Sequence, residues 1–180
     1  IFEGYGPNPA AINTLIDRGA KLIVTVDCGS TSHESLAAAK ESGIDVVVND
    51  HHQVTHELPV VHALVNPNRE DDLSGQGHLC AAGVVFLVLV ATLRVLKDAR
   101  DSRAYTLDLL SLLDIVALAT VCDVVPLKGL NRAYVTQGLK IMARRRNIGM
   151  AALIDASRLT RAPVCSDLGF ALGPRINAGG

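Results

Sequence analysis

Apolar residues in the first part of the chain form short β-branched runs that alternate with stretches of helical spacing. The runs at 21–26, 44–48 and 60–65 predict three strands. Between and before them, the stretches 10–18 and 33–42 predict two helices. A helix that joins two strands carries the chain back along the sheet. The second strand then starts at the same edge as the first, so the two strands are expected to be parallel. This part of the chain is therefore predicted to be a parallel sheet flanked by helices.

Helical patterns dominate the rest of the chain. The stretch 79–96 is apolar nearly all round, which predicts a buried helix, and 107–121 predicts a second largely apolar helix. The stretch 131–146 is amphipathic, and 149–157 predicts a further short helix. Residues 173–180 are rich in glycine and proline and predict a loop. The expected fold class is α/β, with a mainly helical part after the sheet.

Composition narrows the classes of function. The 180 residues are enough for one domain with a sizeable core, and the net charge of −1 gives no overall attraction to nucleic acid. Binding to phosphate would then need a local patch or metal ions. The four cysteines form no C-x-x-C pair, which favours free thiols in a reducing cytoplasm. The longest apolar run, 79–91, is shorter than the ~18 residues that cross a membrane, so no membrane association is expected.

Side chains that bind metal ions follow two of the predicted strands. Asp27 comes directly after the first strand, and Asp50, His51 and His52 come after the second. Neighbouring parallel strands lie about 4.8 Å apart and end at the same edge, so Asp27 and the two histidines are expected to share one ion. Carboxylate and imidazole ligands favour Mn²⁺ or Mg²⁺ over a structural zinc. The alternative is that these residues only shape polar turns.

Two further positions are candidates for the same chemistry. Asp123 lies between apolar stretches, where a carboxylate is costly unless it is paired or bound to a metal. Its alternative role is to cap a turn. Arg175 lies in the last segment and is either a phosphate donor or an ordinary surface residue. The arginines at 144–146 are expected to form the solvated last turn of a helix. Two ions held by such ligands would suit the hydrolysis of a phosphate ester.

Several short motifs occur in an order that resembles a known family. The tripeptide Asp50-His51-His52 is typical of the DHH phosphoesterases. Within that family, the segments 117–127 and 173–179 resemble the RecJ-type single-stranded-DNA exonucleases. The resemblance implies a DHH-type, Rossmann-like parallel sheet. The other matching segments are Glu3-Gly4-Tyr5-Gly6, Val26-Asp27-Cys28-Gly29, Val65-Asn66-Pro67-Asn68, Leu79-Cys80-Ala81-Ala82-Gly83-Val84 and Asn131-Arg132.

The resemblance implies a reaction and roles for individual residues. The reaction would be Mn²⁺- or Mg²⁺-dependent hydrolysis of phosphodiester bonds from the 5′ end of single-stranded DNA, in repair and recombination. Asp27, His51 and Asp123 match metal ligands of a two-metal site. His52 matches the histidine that approaches the scissile phosphate, and Asp50 is expected to orient the two histidines.

The same resemblance implies contacts outside the metal site. Arg175 and Asn177 match a loop that contacts the DNA backbone. Single-stranded DNA is therefore the expected substrate, and repair or single-strand-binding proteins are candidate partners. The family's first motif, Asp-x-Asp, should precede Ile1, and its DHHA1 part should follow Gly180. We therefore expect a partial domain of a longer protein that holds half of a two-metal site and is weakly active or inactive by itself.

Two other functions stay open at this point. One is a phosphoesterase of the same superfamily that acts on short oligonucleotides, cyclic dinucleotides or polyphosphate. The other is a non-catalytic scaffold in a repair complex. The segment around Arg175 argues against the first, and the retained ligand residues argue against the second. The expected layout is a βαβ core at 10–70, a helical part at 79–160 and a DNA-contact loop at 170–180.

Overall fold

The computed structural model describes residues 6–177. The chain divides into two compact units, with the boundary between Val85 and Phe86. Most of the segment 3–6 and the end of the predicted C-terminal loop, 178–180, lie outside the described residues. Within 6–177, no helix is both long enough and apolar enough to span a membrane.

A three-stranded parallel sheet forms the centre of the first unit, in the order β1-β2-β3. Its strands are β1 (Leu22–Val26), β2 (Asp45–Asn49) and β3 (Ala63–Val65). The flanking helices are α1 (Pro9–Asp17) and α2 (His33–Glu41). The predicted α/β class, with parallel strands and flanking helices, is confirmed.

Local sequence signals account for the ends of the two helices. The Asn8 side chain accepts a hydrogen bond of 2.8 Å from the amide of the third residue of α1, and Pro9 occupies the first helical position. Gly19 and Gly43 follow the two helices with φ of 84° and 71°, a conformation that glycine adopts without strain. Ser32 directly precedes α2, but its side chain makes no capping hydrogen bond.

The helices cover one face of the sheet. On the opposite face, alternate residues of β1 stay exposed because a strand points successive side chains to opposite sides. These exposed residues are Leu22, Val24 and Val26. The covered face contributes to a buried cluster that consists of Ile12, Ile23, Leu36, Ala39, Val46 and Val48.

The remaining elements are helical, and the helices predicted at 79–96, 107–121, 131–146 and 149–157 are present with shifted bounds. The remaining helices are α3 (Ala81–Asp98), α4 (Leu113–Cys122), α5 (Gly129–Met142), α6 (Ile148–Ala156), α7 (Cys165–Asp167) and α8 (Gly173–Asn177), with 3₁₀ turns at Ser102–Tyr105 and Leu109–Leu112. A buried aliphatic cluster forms the core of the second unit. It consists of Ala117, Leu118, Val135, Met142, Met150, Ile154, Leu168 and Leu172.

Two helical predictions need correction. Helix α3 was expected to be buried throughout, but only its first turns are, and Val95 is 66% exposed. Apolar spacing identifies a helix, whereas burial depends on what packs against it. The arginines at 144–146 lie after the end of α5 rather than in its last turn. Among them, Arg145 adopts a φ of 53° and pairs with Asp155 at 2.6 Å.

The segment predicted as a C-terminal loop is helical as far as the structure describes it. Helical turns run without a break over 165–177, with a π-helical turn at Leu168–Leu172. Gly173 donates its amide to the carbonyl five residues earlier, and Pro174, which has no amide hydrogen, follows this wider turn. A Cβ at Gly173 would also lie 2.5 Å from the Cys122 sulfur. Glycine and proline here serve packing and an irregular turn rather than a loop.

Helices α4 and α5 pack closely against each other at Gly138. A Cβ at this position would overlap the Leu113 carbonyl and the Ala117 methyl group. Gly138→Ala is therefore expected to destabilise the protein by about 1–3 kcal/mol, although alanine is usually the better helix former. Gly149→Ala is the matched control, because the nearest atom would lie at 3.6 Å. Urea unfolding measures both, and a gain in stability for Gly138→Ala would contradict this account of the packing.

Candidate metal centre

The sheet register brings Asp27 and Asp50 to one edge. Val26 pairs with Asn49 in the parallel ladder, so the next residue of each strand leaves the sheet at the same level. The Asp27 amide donates to the Asn49 carbonyl at 2.9 Å, which extends the ladder by one residue. The side chains that follow both strands therefore meet at the carboxyl ends of the strands, where open α/β sheets place their ligands.

A strained turn presents the Asp27 carboxylate. Asp27 has a φ of 67°, in the left-handed region that costs most residues about 1–3 kcal/mol and that aspartate tolerates better than most. The turn continues through Gly29, with a φ of 116°, where a Cβ would lie 2.7 Å from the Thr25 hydroxyl oxygen. This backbone directs Asp27 towards His51 and leaves its side chain 54% exposed.

His51 has both ring nitrogens engaged. Its Nδ1 lies 3.0 Å from the Leu79 carbonyl oxygen, which can only accept, so Nδ1 carries the hydrogen. In the neutral form of the ring, which is the form that binds metal ions, Nε2 carries the lone pair and faces Oδ1 of Asp27, 3.1 Å away. Two lone pairs face each other favourably only around a proton or a metal ion. Adjacent ligands of an octahedral ion with bonds of about 2.1 Å lie about 3 Å apart, which matches this distance.

His52 adds a third donor to the same group. Its Nδ1 lies 2.7 Å from Oδ1 of Asp50, so Nδ1 donates, and in the neutral ring Nε2 carries the lone pair. The ring is half exposed and its centroid lies 4.6 Å from that of His51. Ligand atoms from Asp27, His51 and His52 all lie within 4.8 Å of one another. One carboxylate and two imidazoles of the described residues therefore lie close enough together to hold a metal ion.

Asp50 supports this group from below the surface. It is 2% exposed, and its carboxylate accepts the Ser30 amide at 3.0 Å and the His51 and His52 amides at 2.7 and 3.2 Å. Burial raises the pKa of Asp50, but the hydrogen bonds from Ser30 and His52 outweigh burial and hold that pKa well below its usual range. Since its oxygens are used by these donors, Asp50 orients the histidines.

Sequence reasoning missed the asparagines that hold the histidine backbone. Asn66 donates from Nδ2 to the Ser30 hydroxyl and to the His52 carbonyl, both at 2.9 Å. Asn68 donates to the His51 carbonyl at 2.5 Å. Both residues belong to a segment that matched the family motif at 65–68, and that match was the only signal in the sequence that pointed to them.

Cys28 lies beside the group of Asp27, His51 and His52 but does not belong to it. Burial raises the pKa of its thiol, and the negative charges of Asp50 and Asp27 raise it further. Its sulfur is not among the ligand atoms that lie within 4.8 Å of one another in this group. The donor set consists of oxygen and nitrogen atoms, as the sequence predicts.

Three predicted site residues lie in the second unit. Asp123 ends helix α4, where its amide donates to the Ala119 carbonyl. Asp123 is exposed, so the argument that its apolar neighbours bury its charge was wrong. Arg175 and Asn177 are exposed on α8, and Arg175 donates to the Ala171 carbonyl at 2.6 Å. Their predicted roles, as a metal ligand and as DNA contacts, stay predictions.

The fold and the Asp-His-His segment define a class of protein. The chain belongs to the DHH family, because the model described as "DHH family, N-terminal domain" matches residues 3–120. Among curated relatives it is 43% identical to the single-stranded-DNA-specific exonuclease RecJ of Escherichia coli (strain K12) and 37% identical to that of Bacillus subtilis (strain 168). Both matches cover 99% of this chain, which spans 32% and 21% of the relatives' lengths.

Solved structures give the same result. A crystal structure of exonuclease RecJ bound to manganese superposes with a TM-score of 0.79 at 32% identity, over 97% of this chain and 42% of that one. RecJ of Thermus thermophilus in complex with Mn²⁺ gives a TM-score of 0.76 at 30% identity, over 96% and 24%. The predicted resemblance to the RecJ-type members of the DHH family is confirmed.

Proposed function

We propose that this chain is the metal-binding part of an exonuclease that hydrolyses single-stranded DNA from its 5′ end with Mn²⁺ or Mg²⁺. One observation carries the proposal. His51 is fixed by the Leu79 carbonyl so that Nε2 faces the Asp27 carboxylate at 3.1 Å. The names of the relatives and the manganese in two similar structures support the choice of substrate and ion.

The donor set fits the proposed ion. The carboxylate of Asp27 and the imidazole of His51 suit Mn²⁺, and the Cys28 sulfur is not among the donor atoms that lie close together. Asp27 and His51 are the proposed ligands in the first unit, and Asp123 is proposed as a further ligand. When bound, such an ion would supply an activated water and would stabilise charge on a phosphate oxygen.

His52 is proposed to act directly on the phosphate. Its Nδ1 hydrogen is held by Asp50, so Nε2 points away from the buried carboxylate on a half-exposed ring. This nitrogen can accept a proton or, once protonated, bind a phosphate oxygen. His52 is the proposed catalytic residue, and Asp50 positions it.

Contacts with the DNA strand are proposed for α8. Arg175 uses one guanidinium nitrogen on the Ala171 carbonyl, and its planar fork retains further donors for a phosphate. Asn177 lies half a turn further along the same helix. With a net charge of −1, the chain depends on such local donors for strand binding. Repair or single-strand-binding proteins stay predicted partners.

The test is end-labelled, single-stranded DNA digested with Mn²⁺ by the full-length gene product that contains this chain. We expect nucleotides to be released from the 5′ end, and His52→Ala to reduce the rate by about 10²–10⁴-fold. His62→Ala is the matched control, because His62 also pairs with an aspartate, Asp45, but at the amino end of β2. Its rate should not change.

Other outcomes of this test would replace the proposal. Cleavage of dinucleotides, cyclic dinucleotides or polyphosphate without cleavage of long strands would indicate a small-molecule phosphoesterase. Metal binding without hydrolysis of any of these substrates would indicate a scaffold. Equal loss of activity in His52→Ala and His62→Ala would show that the effect does not come from the proposed site.

A further inference from the structure

The loop after β3 holds His51 at both of its ends. Near its start, Asn68 donates from Nδ2 to the main-chain carbonyl of His51 at 2.5 Å. At its end, the Leu79 carbonyl accepts from the His51 ring at 3.0 Å. The main chain and the ring of one residue are therefore fixed by a single loop, residues 66–79.

Asn68 also closes this loop on itself. The same Nδ2 donates to the Gly77 carbonyl at 3.2 Å, and Oδ1 accepts from Gln53 at 3.3 Å. Gly77 lies two residues before Leu79, so this hydrogen bond ties the start of the loop to the part that carries the Leu79 carbonyl. One amide group thus joins the loop's two ends to the His51 backbone.

Gly77 leaves space for the amide group of Asn68. A Cβ at Gly77 would overlap Oδ1 of Asn68. The φ of Gly77 lies outside the left-handed region, so its backbone conformation does not demand glycine. The absence of a side chain at Gly77 therefore allows Asn68 to approach closely. The position of the Asn68 amide group thus depends on glycine at position 77.

We propose that Asn68 is a positioning residue for the metal ligand His51, and that the absence of a side chain at Gly77 leaves room for the Asn68 amide group. This inference rests on the proposed function, in which His51 binds Mn²⁺. The direction of the Nε2 lone pair depends on where the His51 main chain and ring are held, and the Asn68–Gly77 pair influences both. Partners that orient a metal-binding histidine typically change metal affinity by about 10–100-fold.

The test is a double-mutant cycle on Mn²⁺ affinity, measured from the electron paramagnetic resonance signal of free Mn²⁺. We expect Asn68→Ala and Gly77→Ala each to raise the Kd by about 10-fold. The double variant should bind no more weakly than Asn68→Ala alone, because the added Cβ then has nothing to overlap. Gly149→Ala is the control and should bind as the unsubstituted protein does. Unchanged binding by Gly77→Ala, or effects that multiply in the double variant, would overturn the proposal.

Two further measurements separate the possible failures. Hydrogen exchange in the metal-free protein measures the exchange rates of the main-chain amides at 50–52. We expect these amides to exchange faster in Asn68→Ala, while circular dichroism shows an intact fold. Asp27→Asn tests the metal site itself. If Asp27→Asn leaves Mn²⁺ binding unchanged, the proposed function fails, and this inference fails with it. If Asp27→Asn abolishes binding but Asn68→Ala and Gly77→Ala bind normally, only the role of Asn68 is wrong.

Discussion

Asp27→Asn is expected to weaken Mn²⁺ binding by about 100-fold or more, a larger effect than loss of an orienting partner. Asp27 is the only carboxylate in the group of three donors that the described residues form. Asparagine removes its charge but still tolerates the φ of 67°, whereas alanine would add backbone strain. Calorimetric titration with Mn²⁺ measures the loss.

The control for this titration is Asp45→Asn. Asp45 also lies beside a histidine, with 3.3 Å between its Oδ1 and Nδ1 of His62, but at the opposite end of β2. Its substitution should leave the affinity unchanged. His51→Ala should reproduce the loss seen in Asp27→Asn. Normal binding by both Asp27→Asn and His51→Ala would place the ion elsewhere.

Asp50→Ala is expected to lower the free energy of unfolding by about 3–5 kcal/mol. The buried carboxylate accepts main-chain amides from Ser30, His51 and His52, and alanine leaves these donors without an acceptor. Asp50→Asn keeps the shape but turns an NH₂ group towards one of the donors, so we expect a smaller loss of about 2 kcal/mol. Urea unfolding of the metal-free proteins measures both losses.

The stabilisation that the Asp50 charge provides is expected to decrease at low pH. The pKa of Asp50 is lower in the folded protein than in the unfolded chain. Such a carboxylate stabilises the fold above its unfolded pKa, and this contribution is lost as the pH falls. The difference in unfolding free energy between the unsubstituted protein and Asp50→Asn should therefore have its largest value above about pH 4 and decrease below that pH. A difference that stays constant to low pH would show that the Asp50 charge does not stabilise the fold.

The convergence of Asp27 with the histidines could be predicted because it follows from topology. A helix between two strands makes them parallel, and parallel strands end at the same edge. Residue type then gives the class of ligand. The contacts of Asn66 and Asn68 could not be predicted in this way. They depend on the path of an irregular loop, which is determined by individual hydrogen bonds rather than by periodicity.

The errors in the second unit have a common physical origin. Gly173 and Pro174 were interpreted as loop residues, but one accommodates the Cys122 sulfur and the other follows a π-helical turn. Asp123 was inferred to be buried from its apolar neighbours, yet it is exposed at a helix end. In each case the neighbouring residue types indicate a preferred local conformation or burial. The observed conformation and exposure depend on which other elements of the fold pack against the residue.

The left-handed backbone at Asp27 limits which substitutions evolution can accept there. Asparagine and glycine tolerate this φ but remove the negative charge. Glutamate keeps the charge but places it one methylene further from the main chain and tolerates the conformation less well. No single replacement preserves both the turn and the charge. Substitution at position 27 is therefore expected to cost either the backbone conformation of the turn or the negative charge.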